Sequence, residues 1–388
     1  MSRTRKRKQN EIDDRVNDIK DETESQMSEV KRKQDEIDDR VDNIENDVRE
    51  MKQQFDLLNE RFDRVADQPF SNFSSSNKEI IIMGGEKKER QSLCSVRIFK
   101  PNDGTYAKLS PMNIPRHSAS SCVYNNDVII AGGCHGEDGL DTIEILKLDQ
   151  YLPRWTISRG KLPVKLFSHV LVVYREKLLV IGGINGETDE MSNEIHELSL
   201  DRPYTPTLLT SMPQPRHGLT AEIVNDKLFI LGGITTTSNH DDDNDEDDDD
   251  DDDDDDDVLD SVMMYDFIAN EFTTCASLPK PVHNMATVTW GNKIIVVGGR
   301  VKNRDVLNDV IMHDTESGLI EKLPSLKHNR ADHSAVICDD VIVVIGGWNN
   351  QQGYLDSVEY WKIGSDDNWK ELPGMTEKRR DVTAAVIP

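Results

Sequence analysis

The chain has 388 residues, of which 36% are hydrophobic, and a formal net charge of −27. It contains no run of 18 or more apolar residues, so we expect no membrane-spanning helix, and its acidic balance argues against nucleic-acid binding through a broad basic face. The N-terminal residues lack the apolar core of a secretory signal, and the five cysteines form no C-x-x-C pair. These features predict a cytoplasmic protein with reduced thiols, and the basic run RTRKRK at residues 3–8 leaves a nuclear location open.

The first predicted element is a long helix over residues 1–66, which contain neither Gly nor Pro. From residue 37 to residue 65 apolar residues alternate at intervals of four and three, with charged residues between them. They are Ile37, Val41, Ile44, Val48, Met51, Phe55, Leu58, Phe62 and Val65. Such a seam indicates an α-helical coiled coil that makes the protein a homo-oligomer. A single solvated helix is the alternative, and the seam does not decide between dimer and trimer.

A linker is predicted next, and a repeat follows it. Residues 67–76 read DQPFSNFSSS, a composition typical of linkers. Beyond them a diglycine follows an apolar run six times, with first glycines at Gly84, Gly132, Gly182, Gly232, Gly298 and Gly346. The intervals are 48, 50, 50, 66 and 48 residues, and the long interval contains an acidic insert. The period is therefore about 50 residues.

Each repeat unit has the pattern of four short strands. A turn such as Asn125-Asn126 or Asn225-Asp226 precedes the second strand, and a phrase such as LDSV follows the diglycine. A fourth stretch carries an aromatic residue, for example Trp155 or Trp369, and leaves no room for a helix. A sheet of this size buries both of its faces only when it stacks against neighbouring sheets around a common axis.

These repeated features resemble the kelch repeats of β-propellers over residues 77–388. The resemblance implies an all-β fold, a six-bladed propeller, preceded by the coiled coil. It also implies a non-catalytic interaction protein whose partner protein or peptide binds around the central mouth. Cytoskeletal scaffolding and substrate capture for ubiquitin ligases are the two settings that the family offers, although residues 1–66 lack the pattern of a BTB or F-box domain.

The chain ends predict how the ring closes. Positions are counted back from the first glycine of each unit, and position −16 holds Arg116, Arg216 and Arg330. The first unit opens at Asn77, position −7, and so lacks a first strand. If Arg380 is placed at −16, Pro388 falls at −8, one position before Asn77. We therefore expect the C-terminal segment to supply the first strand of blade 1 and to remove the open edges.

The acidic insert, residues 241–257, contributes 16 of the negative charges and leaves −11 for the rest of the chain. We expect it to form a disordered loop in blade 4, because it has no apolar residues with which to build a core. It lacks the spacing and the glycine of an EF-hand. A tolerated low-complexity insertion is one interpretation, and competition with acidic ligands for arginines on the same face is the other.

Candidate partner-binding residues lie where the second strands end and the first strands begin, because both ends share one face. At the openings of first strands they are Arg116, His117, Arg216, His217 and Arg330; after the glycines they are His135, Arg300 and Trp348. The resemblance implies that such residues contact a partner, and their positive charge favours an acidic one. The alternative is that the arginines brace neighbouring blades. Arg300 and Trp348 are not repeated in other units, which favours a role in specificity.

No catalytic residue, metal site or cofactor is predicted. The sequence has no H-E-x-x-H and no G-x-S-x-G motif, and histidines that recur at one repeat position, such as His117, His217 and His283, favour a structural role. Some kelch propellers are enzymes, so a metal-dependent oxidase or a sugar isomerase is the alternative function.

Overall fold

The computed structural model describes residues 78–199, 205–236, 256–365 and 368–387, together with Met27, Lys31 and Lys52. The coiled coil predicted over 1–66, with its seam at 37–65, lies outside the described residues apart from those three positions. The predicted linker, 67–76, and residues 241–255 of the acidic insert also lie outside them. In the described ranges no helix combines the length and hydropathy that a membrane span needs.

Six four-stranded antiparallel sheets form the blades of the propeller. Blade 1 consists of Thr383–Ile387, Glu79–Met83, Val96–Lys100 and Thr105–Leu109, and blade 2 of Ser120–Tyr124, Asp127–Ala131, Thr142–Lys147 and Trp155–Lys161. Blade 3 consists of Val170–Tyr174, Lys177–Ile181, Glu194–Leu198 and Thr207–Ser211, and blade 4 of Thr220–Val224, Lys227–Leu231, Val262–Asp266 and Glu271–Thr274. Blade 5 consists of Ala286–Trp290, Lys293–Val297, Val310–Asp314 and Ile320–Leu323, and blade 6 of Ser334–Cys338, Val341–Ile345, Val358–Lys362 and Lys370–Leu372.

The hydrophobic core lies between neighbouring blades. Each first strand contacts the first strands of both adjacent blades, so the six first strands form a closed ring around the axis. The second strands are continuous apolar runs such as VIVVI, because neighbouring blades cover both of their faces. One core cluster, for example, joins Ile80 and Phe99 of blade 1 to Val343 and Ile345 of blade 6. The stacking that the repeat predicted is therefore what buries the sheets.

The predicted closure of the ring is confirmed, with a correction of one residue. Thr383–Ile387 pairs antiparallel with Glu79–Met83, from Glu79 opposite Ile387 to Met83 opposite Thr383. Arg379, and not Arg380, occupies position −16 of blade 1, since its Nη1 donates to the Gly84 carbonyl at 2.8 Å. Side chains alternate between the two faces of a strand, so the difference of one residue gives these two arginines different surroundings.

A short two-stranded hairpin follows most of the diglycines. The hairpins are Glu86–Lys87 with Gln91–Ser92, Cys134–His135 with Asp138–Gly139, Ile234–Thr236 with Asp256–Val258, and Trp348–Asn349 with Gly353–Tyr354. A 3₁₀ turn, Lys88–Arg90, connects the first of them, and in blade 3 Ile184–Asn185 pairs with Leu166–Phe167. The last two residues of the insert, Asp256 and Asp257, pair with Thr236 and Thr235. The prediction of a disordered loop is therefore wrong for these two aspartates, which extend a hairpin.

Candidate functional site

Three consecutive residues at the entrance of each first strand occupy three environments. The carbonyl at position −16 accepts a hydrogen bond from the preceding blade, as Arg116 does from the Gly85 N–H at 3.0 Å. The residue at −15 pairs with the residue that follows the diglycine of its own blade, as His117 does with Cys134. The residue at −14, Ser118 in blade 2, lines the central cavity. A shift of one position therefore moves a side chain from the interior to the rim or to the axis.

The arginines at position −16 are fully buried within the propeller. Nη1 of Arg116 donates to the carbonyls of Gly132 at 2.7 Å and Thr142 at 3.1 Å, and Nη2 donates to Glu144 Oε1 at 2.8 Å. Arg330 repeats this arrangement with Gly346, Ser357 and Glu359. Glu144 also accepts from the backbone N–H groups of Asn113 and Ile114 in the connection that enters the blade. The ion pair thus ties the connection, the diglycine and the third strand together.

Arg216 has a different set of partners. Its Nη1 donates to the Gly232 carbonyl at 3.0 Å and to Ser261 Oγ at 3.3 Å, and its Nη2 lies 3.8 Å from Met263 Sδ. Met263 takes the place that Glu144 has in blade 2, since each pairs with the residue two before the first glycine. Burial lowers the pKa of Arg216 to about 10.

The prediction that Arg116, Arg216 and Arg330 are available to a partner at the mouth needs correction. All three residues are 0% exposed, and their Nη1 atoms donate to carbonyl oxygens within the propeller. A partner at the mouth does not reach them. Their side-chain hydrogen bonds lie within their own blades, so the arginines have a structural role, but one that holds a single blade together and does not brace neighbouring blades as the alternative proposed.

Six residues at position −14 form a ring around the central cavity, which has a volume of about 130 Å³. They are Ser118, Ser168, Gly218, Asn284, Asp332 and Asp381, all with positive φ. From Ser168 onward, each backbone N–H donates to the carbonyl of the preceding ring residue at 2.8 to 3.2 Å. The acidic residues of the ring, Asp332 and Asp381, come from the neighbouring blades 6 and 1.

The two aspartates of this ring have perturbed acidities. Burial raises the pKa of Asp381 well above its ordinary value, and the charge of Asp332 raises it further, whereas Arg380 opposes the shift. Burial also raises the pKa of Asp332, although Arg380 and Arg300 oppose it and Asn284 Nδ2 donates to its carboxylate at 2.5 Å. Ionisation of both carboxylates is therefore unfavourable in this part of the fold.

Two arginines lie against two aromatic rings at the mouth. Trp348 and Tyr354 are directly opposite each other in the hairpin of blade 6. The Arg300 guanidinium carbon lies 6.0 Å from the centre of the Trp348 ring, and that of Arg380 lies 5.4 Å from the centre of the Tyr354 ring. All four side chains are half-buried. We call Glu86, Arg300, Trp348, Tyr354 and Arg380 the mouth cluster.

Glu86 connects the mouth cluster to its surroundings. It is 2% exposed, accepts from the Tyr354 hydroxyl at 2.9 Å and from Arg380 Nη2 at 3.2 Å, and lies 3.8 Å from Nε2 of His117. Burial lowers the pKa of His117 more than Glu86 raises it, and Arg380 lowers it further. His117 is therefore held beside the cluster in its neutral form.

The remaining predicted residues lie in separate places. His217 is half-buried beside Ile234 of blade 4, and burial lowers its pKa to about 4. His135 is exposed on the hairpin of blade 2. The structure thus brings His117, Arg300 and Trp348 toward one site. His135 lies on the same blade as His117 and close enough to lower the pKa of His117, whereas His217 is on blade 4.

Sequence reasoning missed Glu86, Tyr354 and Arg380 as site residues. Glu86 follows its diglycine directly, the same repeat position as Arg300 and Trp348, so the repeat itself contained that signal. Arg380 was assigned to the wrong repeat position. Tyr354 enters only through the hairpin that pairs it with Trp348. Within the described ranges no group of three or more His, Cys, Asp or Glu side chains is arranged to hold a metal ion.

Comparison with known proteins identifies the repeats. The protein-family model described as the KLHDC2/KLHL20/DRC7 Kelch-repeats domain matches residues 68–233, and the family model described as the Kelch motif matches residues 329–376. The prediction of kelch repeats in a six-bladed all-β propeller is therefore confirmed.

Similar proteins share these repeats over part of their length. Kelch repeat and BTB domain-containing protein 2 of Cowpox virus (strain GRI-90 / Grishak) is 32% identical over 114 residues, 29% of this chain and 20% of that protein. Kelch-like protein 35 of Homo sapiens is 26% identical over 285 residues, 66% of this chain and 47% of that protein. A solved structure titled "Structure of YjhT" has a TM-score of 0.58 at 16% identity, over 70% of this chain and 88% of that one, and supports the fold alone. The chain thus spans less than half the length of both curated relatives.

The buried ion pair of blade 6 gives a first prediction. Glu359→Ile should lower the free energy of unfolding by about 3 to 5 kcal/mol, because it leaves the Arg330 charge buried without its carboxylate. Adding Arg330→Val should recover at least half of that loss, because the pair then becomes the Val282 and Ile311 that occupy the same two positions in blade 5. Urea denaturation measures both. Met263→Ile beside Arg216 is the control and should cost less than about 1.5 kcal/mol. A double variant as unstable as Glu359→Ile alone would contradict the argument.

The central carboxylates give a second prediction. A raised pKa in the folded state means that the stabilising contribution of Asp381 is complete below its ordinary value of 3.8 and is lost as the pH rises through the folded pKa. Asp381→Asn should therefore raise the melting temperature at pH 7.5, with a gain in the free energy of unfolding on the order of 1 kcal/mol. This gain should vanish near pH 3.5. Asn284 shows that asparagine fits this ring position. Asp226→Asn, in an exposed turn, is the control; a lower melting temperature for Asp381→Asn at pH 7.5 would refute the prediction.

Proposed function

We propose that this protein is a non-catalytic interaction scaffold that binds a partner protein or peptide at the mouth cluster. The observation that carries the proposal is the pairing of Trp348 and Tyr354 with Arg300 and Arg380 on one face of the propeller. Tryptophan, tyrosine and arginine are the residues that most often dominate the binding energy of protein interfaces. Here they are half-buried and held by a rigid frame, which lowers the entropy cost of binding.

The free hydrogen-bonding capacity of the cluster favours an acidic partner. Arg380 is already engaged by Glu86 at 3.2 Å and by Asp381 at 3.4 Å. Among the described residues no carboxylate forms an ion pair with Arg300, although the Nε atoms of both arginines are buried without a hydrogen-bond partner. A carboxylate supplied by a partner would satisfy the Arg300 guanidinium, and an apolar group beside it would cover the Trp348 ring. We therefore expect the partner segment to combine an acidic and an apolar residue.

The names of the relatives support the interaction role in its general form. Both curated relatives are described by their kelch repeats or as kelch-like, and one also by a BTB domain. This chain spans only part of each, so a cytoskeletal role and a role as a ubiquitin-ligase substrate adaptor remain two forms of the same proposal. The chemistry at the mouth is the same for both.

Self-association through residues 37–65 is the second part of the proposal. The apolar seam there, for example Ile44 and Leu58, supports it. An oligomer would carry several propellers, and binding to a repeated target would then gain avidity without any new contact.

Binding at the mouth is tested by affinity capture followed by measurement of the captured protein with purified components. Arg300→Ala with Trp348→Ala should weaken binding at least tenfold, because hot-spot truncations typically cost 2 kcal/mol or more. Binding by the wild type should also weaken as the salt concentration rises, because salt screens the attraction between Arg300 and a carboxylate of the partner.

The matched control is Tyr151→Ala with Ile268→Ala. These side chains are 98% and 90% exposed and lie in turns between third and fourth strands, on the face opposite the diglycines. Retention of the partner by the mouth variant, with loss in the control variant, would move the interface to the other face and reject the proposal.

Self-association is tested by light scattering on the full chain. Ile44→Lys with Leu58→Lys should convert an oligomer into a monomer, because each substitution places a charge in the apolar seam. Asn46→Lys with Gln53→Lys adds the same charge off the seam and should leave the mass unchanged. A monomeric wild type would exclude the coiled-coil oligomer and would leave the mouth proposal standing.

A further inference from the structure

An apolar pocket enters blade 5 at a place that arginine fills in other blades. The pocket has a volume of about 250 Å³, and its apolar walls include Leu278, Val282, Val296, Ile311 and Ile320. It lies beside the first glycine of the blade, Gly298, and is separate from the central cavity, whose lining residues it does not share.

The pocket takes the place of a buried ion pair. Val282 occupies position −16, which holds Arg330 in blade 6. Ile311 pairs with the residue two before the first glycine, as Glu359 does in blade 6. Valine is much smaller than arginine, the isoleucine side chain is shorter than that of glutamate, and both Val282 and Ile311 line the pocket. The empty volume is therefore where the guanidinium and the carboxylate lie in blade 6.

A third replacement in blade 5, in the connection that enters the blade, accompanies the loss of the ion pair. In blade 6, Glu359 accepts from the N–H groups of Lys327 at 2.7 Å and His328 at 3.1 Å. The residue that corresponds to Lys327 in blade 5 is Pro279, which has no N–H to donate. Loss of the carboxylate thus coincides with loss of one of the donors that it satisfies. An apolar pocket at this position is therefore consistent with the local backbone, because residue 279 has no N–H group that needs an acceptor.

The solvent side of the pocket carries a net positive charge. Lys280 Nζ lies 2.7 Å from Asp309 Oδ2, and Lys322 Nζ lies 3.0 Å from Asp309 Oδ1. The hydrogen bonds from Lys280 and then Lys322 lower the pKa of Asp309, against its partial burial, so the carboxylate stays ionised. Each ammonium has three donors and gives one to Asp309, and both lysine side chains are more than half exposed. Donors for a further acceptor therefore remain at the entrance.

We propose that this pocket binds a small amphiphilic carboxylate, with its aromatic or short aliphatic body in the apolar cavity and its carboxylate between Lys280 and Lys322. A dry apolar cavity of 150 Å³ is enough to hold benzene, so a volume of about 250 Å³ accommodates a phenyl ring with a short chain. A cationic ligand would meet two ammonium groups, and the one carboxylate present already binds both of them. The site is independent of the mouth cluster.

The test is a titration of the full chain with 4-phenylbutyrate, followed by calorimetry or ligand-observed NMR, beside the neutral 4-phenylbutan-1-ol. We expect 4-phenylbutyrate to bind with a dissociation constant below about 1 mM and the alcohol to bind at least fivefold more weakly. Val282→Arg with Ile311→Glu, which rebuilds the ion pair of blade 6, should weaken binding at least tenfold. Val282→Met, which fills the cavity with a flexible side chain, should weaken it at least threefold.

The charge contribution has its own variant and control. Lys280→Ala with Lys322→Ala should remove the preference for the carboxylate and leave the affinity for the alcohol within twofold. Lys147→Ala with Lys177→Ala removes two acid-paired lysines elsewhere and should change neither affinity. Absence of binding by the wild type, equal affinity for acid and alcohol, or undiminished binding by pocket variants with wild-type melting temperatures would each overturn the proposal. None of these outcomes bears on partner binding at the mouth.

Discussion

The hydrogen bond from each diglycine to the next blade is the constraint on which the molecule depends. The N–H of the second glycine donates to the carbonyl at position −16 of the following blade, at 2.8 to 3.0 Å in all six cases. A Cβ on Gly132 would lie 2.4 Å from the Leu166 carbonyl oxygen, and the residue has a φ of +62°, so only glycine permits this approach. With that carbonyl fixed, the side chain at −16 enters the blade, the next residue reaches the rim, and the one after it lines the axis. Every assignment of interior, rim and channel follows from this one contact.

Because the backbone fixes the frame, the side chain at position −16 is free to change its chemistry. Arg116 and Arg330 have carboxylates, Arg216 has Met263, and Leu166 and Val282 replace the arginine altogether. A buried ion pair and a well-packed apolar pair are often equivalent in stability, which explains how one fold holds both. The apolar version closes the space only if its side chains are large enough. In blade 5 they are not, and the pocket beside Val282 results.

The sequence was sufficient for the parts of the fold that local signals specify. The diglycine period predicted six blades, turn residues such as Asn125 have the positive φ expected of them, and the partial first unit predicted the closing strand. The burial of individual side chains was harder to predict, because the residue type and its repeat position do not determine which way the side chain points. Arg116 and His117 are adjacent in sequence, yet one is fully buried and the other lies at the rim. The place of Tyr354 in the site could not be predicted, because the hairpins that follow the diglycines differ in length from blade to blade. Only the structure shows that the hairpin of blade 6 places Tyr354 opposite Trp348.

Closure of the ring also builds the candidate binding site. Glu86 and Arg380 are 294 residues apart in the chain, and they meet only because Thr383–Ile387 pairs with Glu79–Met83. Their backbones exchange two hydrogen bonds, at 2.8 and 3.0 Å, directly beside that strand pair. Arg380 then reaches both Glu86 and the Tyr354 ring. A change that loosens the closing strand therefore displaces Arg380 of the mouth cluster as well as the first strand of blade 1. The geometry of the mouth cluster thus depends on closure of the ring.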